Sequence, residues 1–88
     1  MNKKSIVISL HQKGVINGKR EKIYVEKYDS GPFICKFLDN DPILGSLYEI
    51  TNYIYNDFGI CFEIIGENGR PLLTLFDLED YISEKFKS

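Results

Sequence analysis

The chain has 88 residues, of which 43% are hydrophobic and 27% charged, and its formal net charge is −2. This length predicts one compact domain over residues 1–88, and the composition excludes a disordered chain. Because the apolar runs are short and the first residues lack the apolar stretch of a signal peptide, we expect a cytoplasmic protein that does not enter a membrane.

The first two strands are predicted to form a hairpin. Residues 5–11 (SIVISLH) and 22–28 (KIYVEKY) are rich in β-branched and aromatic residues, as strands are. Asn17 and Gly18 between them favour a type I′ turn, which needs positive φ at both central residues. A two-residue turn there pairs Leu10 with Val25, and Gly14 is then expected to mark a bulge.

A third strand and a first helix are predicted next. Residues 33–38 (FICKFL) read as the strand, and Asp41 is expected to be the N-cap of the helix with Pro42 in its first position. Gly59 is expected to end this helix in the left-handed conformation. Apolar residues recur every three or four positions and predict the buried stripe Leu44, Leu47, Tyr48, Thr51, Ile54, Tyr55 and Phe58.

The last part of the chain predicts a second hairpin and a second helix. Residues 60–65 (ICFEII) and 72–76 (LLTLF) are the predicted strands, with Asn68 and Gly69 in the turn. Asp77 is the expected N-cap of a helix over residues 78–86, with Phe76 and Tyr81 as a hydrophobic staple. The order β-β-β-α-β-β-α predicts an α+β fold, a mostly antiparallel five-stranded sheet with two helices on one face.

No motif indicates catalysis, a cofactor or a metal site. Cys35 and Cys61 lie in apolar segments and are expected to be reduced, mostly buried thiols. They and His11 are the only Cys and His residues, and a zinc site needs four such ligands at short spacings. Asp39 and Asp41 are interpreted as a turn and a helix cap rather than a cation site. We therefore expect a protein that is not an enzyme and has no cofactor.

Charge is divided unevenly along the chain. Residues 1–28 contain seven Lys or Arg and two Glu, whereas residues 29–88 contain four Lys or Arg and eleven Asp or Glu. Such an asymmetry favours partner binding over catalysis. The chain also has no alanine and is rich in Lys, Ile, Asn, Tyr and Phe, whose codons are AT-rich, which suggests a low-GC bacterium or one of its phages.

The first functional hypothesis is a small protein-binding module that contacts a basic surface of its partner. Tyrosine suits such contacts because its ring buries area while its hydroxyl remains hydrated. One concrete form is a phage or mobile-element inhibitor of a host or defence protein, such as an anti-CRISPR-like protein. The residues expected at the contact are Tyr53, Glu63, Glu67, Asp77, Glu79, Asp80 and Glu84.

The alternative hypothesis is a nucleic-acid-binding protein that uses the basic hairpin over residues 13–22. Cations there would contact phosphates, and nearby tyrosines would stack on bases. The residues expected to do so are Lys13, Lys19, Arg20, Lys22, Tyr24 and Tyr28. We expect a protein partner first, because the net charge is negative and no known nucleic-acid-recognition motif is present.

Overall fold

The computed structural model describes residues 2–87 and has the predicted α+β architecture, a five-stranded antiparallel sheet with two helices on one face. Neither helix within residues 2–87 combines the length and the apolar composition that a membrane span requires. The strand order is β4-β3-β2-β1-β5. The elements are β1 (Lys3–Gln12), β2 (Arg20–Tyr28), β3 (Phe33–Phe37), β4 (Ile43–Gly45), α1 (Leu47–Phe58), β5 (Phe62–Ile65) and α2 (Leu75–Phe86).

The core lies between the helices and one side of the sheet. Side chains alternate along each strand, so Ile8 opposite Ile23 and Val25 opposite Cys35 point to the same side. Removing a side chain of this size from water contributes roughly 1.5–3 kcal/mol. The helices complete the same cluster with Ile50, Ile54, Leu78 and Ile82, all of them fully buried.

The register of the first hairpin differs from the prediction by four residues. Leu10 pairs with Glu21 rather than Val25, and strand pairing ends where His11 meets Arg20. The loop that follows is longer than a type I′ turn, and within it only Asn17 of the predicted central pair has positive φ. Since a shift of four is even, every side chain keeps its predicted side of the sheet.

Gly14 also differs from its predicted role. It lies in the loop rather than at a strand bulge, with φ +69 and open space around the position that a Cβ would occupy. The loop contains a tight turn in which the Gly18 amide donates to the Val15 carbonyl at 3.2 Å. Asn17 supplies the positive φ (+59) in that turn, which Asn tolerates better than most residues do.

Helix α1 begins at Leu47, not at Pro42, so the Asp41 N-cap was wrong. The residues before it pair as β4, with Ile43 opposite Cys35. Ser46 is the N-cap: its hydroxyl accepts from the Glu49 amide at 3.2 Å, and the Glu49 carboxylate accepts from the Ser46 amide at 3.0 Å. This reciprocal capping box satisfies two backbone donors at the helix start.

The predicted stripe of α1 is correct except at two positions. Thr51 and Ile54 are buried and Leu47 packs against the core, whereas Leu44, which lies in β4, and Tyr48 are exposed. Gly59 ends the helix with φ −65 and therefore in the right-handed region, not in the predicted left-handed one.

Helix α2 also begins earlier than predicted, and residues 72–74 are not a strand. The turn before them lies one position earlier than predicted, because the Gly69 amide donates to the Gly66 carbonyl at 3.0 Å, and of the predicted central pair only Gly69 has positive φ (+81). The hairpin consists of a single bridge between Ile65 and Pro71. Thr74 is the N-cap, and Asp77 is the third helical residue, whose carboxylate accepts from the Thr74 amide at 3.2 Å. The Phe76 ring is exposed, so it forms no staple.

The two thiols have different environments. Cys35 is buried as expected, and burial raises its pKa to about 12. Cys61 is exposed, contrary to the prediction, because it lies in the connection between α1 and β5.

Candidate binding surfaces

The residues predicted to contact a protein partner do not form one patch. Glu63 lies in β5, on the side of the sheet away from the helices, opposite His11. Tyr53 is half-buried in α1 and its ring makes an edge contact with Phe58 at 5.7 Å. Burial raises the pKa of Tyr53 above its ordinary value. These two side chains therefore lie on different layers of the molecule.

Glu67 has an internal role. Its carboxylate accepts from the Val7 amide at 3.1 Å and lies 3.5 Å from the Lys85 ammonium. Its own amide donates to the Tyr81 hydroxyl at 2.7 Å. Because β5 ends before it reaches Val7, Glu67 takes the place of a strand at that edge of β1.

The remaining four predicted residues line α2. Asp77 completes the capping box, and Glu84 lies 3.5 Å from the Lys87 ammonium. Asp80 is exposed and Glu79 half-buried. Helix α2 has four carboxylates and one Lys, and α1 has two carboxylates and no Lys or Arg, so the helical layer is acidic.

Large apolar side chains are exposed at one end of the molecule, where three connections meet. The Lys13 amide donates to the Cys61 carbonyl at 2.9 Å, and the Lys13 ammonium donates to the Gly59 carbonyl at 2.7 Å. A small cavity between Lys13, Gly59 and Leu73 places the segment before α2 beside them. We call the exposed apolar residues of these connections and of the first turn of α2 the apolar end: Val15, Ile16, Ile60, Leu73 and Phe76.

The side of the sheet away from the helices forms the second surface, which we call the open face. Alternation places Arg20, Lys22, Tyr24 and Tyr28 there, and Lys36 lies opposite Tyr24 on the neighbouring strand. Both tyrosines are 42% exposed. Within the strands this face has more cations than carboxylates: Lys3, Arg20, Lys22 and Lys36 are its cations, and Glu26 and Glu63 its carboxylates.

Glu26 lies at the centre of the open face and is buried. Its carboxylate is 3.0 Å from the Lys36 ammonium and 3.6 Å from the Lys3 ammonium. Burial on its own would raise the pKa of Glu26, but the two lysines outweigh it and hold this pKa below its ordinary value. Glu26 is therefore ionised and fixes a lysine on each side of it.

A depression of about 420 Å³ opens on this face. The depression is lined by three cations, one carboxylate, one tyrosine and one exposed apolar side chain: Arg20, Lys22, Lys36, Glu21, Tyr24 and Leu38. Leu38 has φ +50, an uncommon conformation for a bulky residue.

Four of the six residues predicted for nucleic-acid binding lie on the open face, three of them (Arg20, Lys22 and Tyr24) at the depression, and two of the six lie elsewhere. Lys13 is held at the apolar end by Gly59, and Lys19 lies in the loop before β2. The sequence interpretation missed Lys36 and Leu38. The alternation in FICKF, with Phe33, Cys35 and Phe37 on the core side, was a signal that could have placed Lys36 on the opposite side.

No protein-family model matches the chain, and neither the curated proteins nor the solved structures contain a significant match. Its function is therefore inferred from the two surfaces themselves.

Proposed function

We propose that the protein is a non-enzymatic binding domain that contacts another protein through the apolar end. The observation that carries this proposal is the exposure of large apolar side chains in three converging connections and the first turn of α2, among them Ile16 (93% exposed) and Phe76 (74%). Soluble monomers rarely expose apolar residues together, and where they do, the patch is commonly a contact site.

The surroundings of Phe76 indicate the chemistry of the partner. Asp77 follows Phe76 directly, and Asp80 lies one helical turn further on, on the same side of α2. An aromatic side chain that enters a pocket supplies much of the energy of a typical interface, while charges at the rim guide the approach. The partner surface would thus be an apolar pocket bordered by Lys or Arg.

The specific form we propose is an inhibitor encoded by a phage or mobile element that acts on a host or defence protein in the host cytoplasm. Its support is the small size of the domain and its composition, which lacks alanine and is rich in residues with AT-rich codons.

The proposal is tested by capturing partners from a low-GC bacterial lysate with the wild-type protein and with Phe76→Ser. Tyr48→Ser is the matched control, because Tyr48 is also exposed and is also the second residue of a capped helix. It lies about 16 Å along α1 from Gly59, which belongs to the surroundings of the apolar end. We expect Phe76→Ser to lose the captured protein and Tyr48→Ser to retain it.

A second pair of variants tests the carboxylates of the first turns of α2, which lie beside Phe76. The double variant Glu79→Lys/Asp80→Lys should weaken capture, and raised salt should weaken it further. The charge reversal Lys19→Glu/Arg20→Glu should weaken capture of the partner less than Glu79→Lys/Asp80→Lys does. Retention of the partner by Phe76→Ser, or equal loss with Tyr48→Ser, would contradict the proposal.

A further inference from the structure

We propose that the open face is a second binding site and that its ligand is single-stranded nucleic acid. Tyr24 would stack on a base, while Arg20, Lys22 and Lys36 would contact phosphates. This site lies on the side of the sheet opposite the helices and does not depend on the protein contact proposed above.

The geometry brings cations and an aromatic ring into one depression. Arg20 and Lys22 come from β2 and Lys36 from β3, and these three cations line the same space as Tyr24 and outnumber Glu21, the carboxylate of that lining. Among the described residues Arg20 and Lys22 take part in no ion pair. Their charges are therefore available to a ligand, and an anion with an aromatic part fits such a site.

Electrostatics favour a polyanion on this face and disfavour it elsewhere. Glu26, a buried carboxylate of the open face, is neutralised by Lys3 and Lys36. The helical layer on the other side is acidic and would repel phosphates. A nucleic acid would thus approach the open face, whose charge complements its own.

The tyrosines indicate a single strand rather than a duplex. Tyr24 and Tyr28 lie on the same side of β2, four residues and therefore about 13 Å apart. Stacking on such rings needs unpaired bases, because a duplex hides the base faces. Leu38 adds an exposed apolar edge to the depression and is held there by a backbone conformation that bulky residues rarely adopt.

Fluorescence anisotropy with labelled single-stranded DNA and RNA oligonucleotides of about 12 nucleotides tests the proposal. Three phosphate contacts on a single strand predict a slope of log affinity against log salt of roughly −2. Affinity should then fall by about 20-fold between roughly 50 and 200 mM salt. We expect Arg20→Glu/Lys22→Glu to abolish binding and Lys85→Glu/Lys87→Glu, which changes the net charge equally at the end of α2, to preserve it.

Variants of Tyr24 separate stacking from simple charge attraction. Tyr24→Leu should weaken binding at least about fivefold without changing the salt slope, and Tyr24→Phe should retain it. Thermal unfolding of each variant confirms that it folds. The proposal would be overturned if the wild-type protein did not bind the oligonucleotide or bound a duplex with equal affinity. It would also be overturned if Lys85→Glu/Lys87→Glu lost binding as Arg20→Glu/Lys22→Glu does, or if Tyr24→Leu left the affinity unchanged. Displacement of the oligonucleotide by poly-glutamate at equal charge concentration would indicate an acidic protein ligand and overturn it too.

Discussion

Glu26 shows how one residue can organise a surface. It is a buried carboxylate between two lysines, and their ammonium groups lie 3.0 and 3.6 Å from its oxygens. The alternation of residues along β2 identifies the side of the sheet on which Glu26 lies. It does not identify Lys36 as a partner, because Lys36 belongs to β3 and meets Glu26 only once β2 and β3 are paired.

The first prediction concerns the contribution of Glu26 to stability. Glu26→Gln should lower the free energy of unfolding by about 1 kcal/mol at neutral pH, because it removes two ion pairs whose lysines are partly exposed. The folded-state pKa of Glu26 lies below its ordinary value of 4.5. The contribution of ionised Glu26 to the free energy of unfolding is therefore complete above pH 4.5 and is lost as the pH falls through the folded-state pKa.

Urea unfolding of wild type and Glu26→Gln, measured at neutral pH and in acid, tests this expectation. The difference between the two proteins should shrink in acid. Glu63→Gln, an exposed carboxylate on the same face, should differ little from wild type at either pH. A Glu26→Gln effect of the same size at both pH values would contradict the proposed ion pairs.

At the scale of elements, both helices begin with the same device. Ser46 with Glu49 and Thr74 with Asp77 form reciprocal capping boxes. The sequence pattern alone favours Asp41 and Asp77 as N-caps instead, because Asp before Pro and Asp after an apolar run are also common helix starts. The run LLTLF resembles a strand locally, and only the assembled sheet shows that residues 72–74 do not pair as one.

The second prediction tests the start of α2. Thr74→Ala should destabilise the protein by about 1 kcal/mol, since the hydroxyl that accepts from the Asp77 amide at 3.1 Å is lost. Thr74→Ser keeps the hydroxyl and should be close to wild type. Thermal unfolding measures both. If α2 instead began at Asp77, Thr74→Ala would change stability by less than about 0.5 kcal/mol.

The strands and the core were the predictable part of the fold, and the hairpin register was not. Alternation in β1 and β2 identifies Ile8 and Ile23 as core residues without knowledge of the rest of the chain. The loop between these strands is instead shaped by distant partners. Lys13 bonds to the Gly59 and Cys61 carbonyls, 46 and 48 positions further along the chain, and no local pattern contains that information.

At the scale of the whole molecule, the uneven charge of the sequence becomes a difference between layers. The basic first part of the chain forms β1 and β2, two of the three central strands, while the acidic second part supplies both helices. The residues proposed to bind nucleic acid were therefore partly predictable, since a single strand carries Arg20, Lys22, Tyr24 and Tyr28. The apolar end was not, because three separate connections build it.

The last prediction is that the two proposed sites work independently. Phe76 lies on α2 and Lys36 on the open face, and the sheet with its core, about 10 Å thick, separates them. Substitutions at that separation without shared contacts are usually additive. Phe76→Ser should therefore change oligonucleotide affinity less than about twofold, and Lys36→Glu should leave capture of the protein partner intact. The double variant should lose partner capture and weaken oligonucleotide binding as each single variant does. If either single variant lost both partner capture and oligonucleotide binding while its unfolding curve was unchanged, one shared surface would perform both functions. That result would contradict the two-site arrangement.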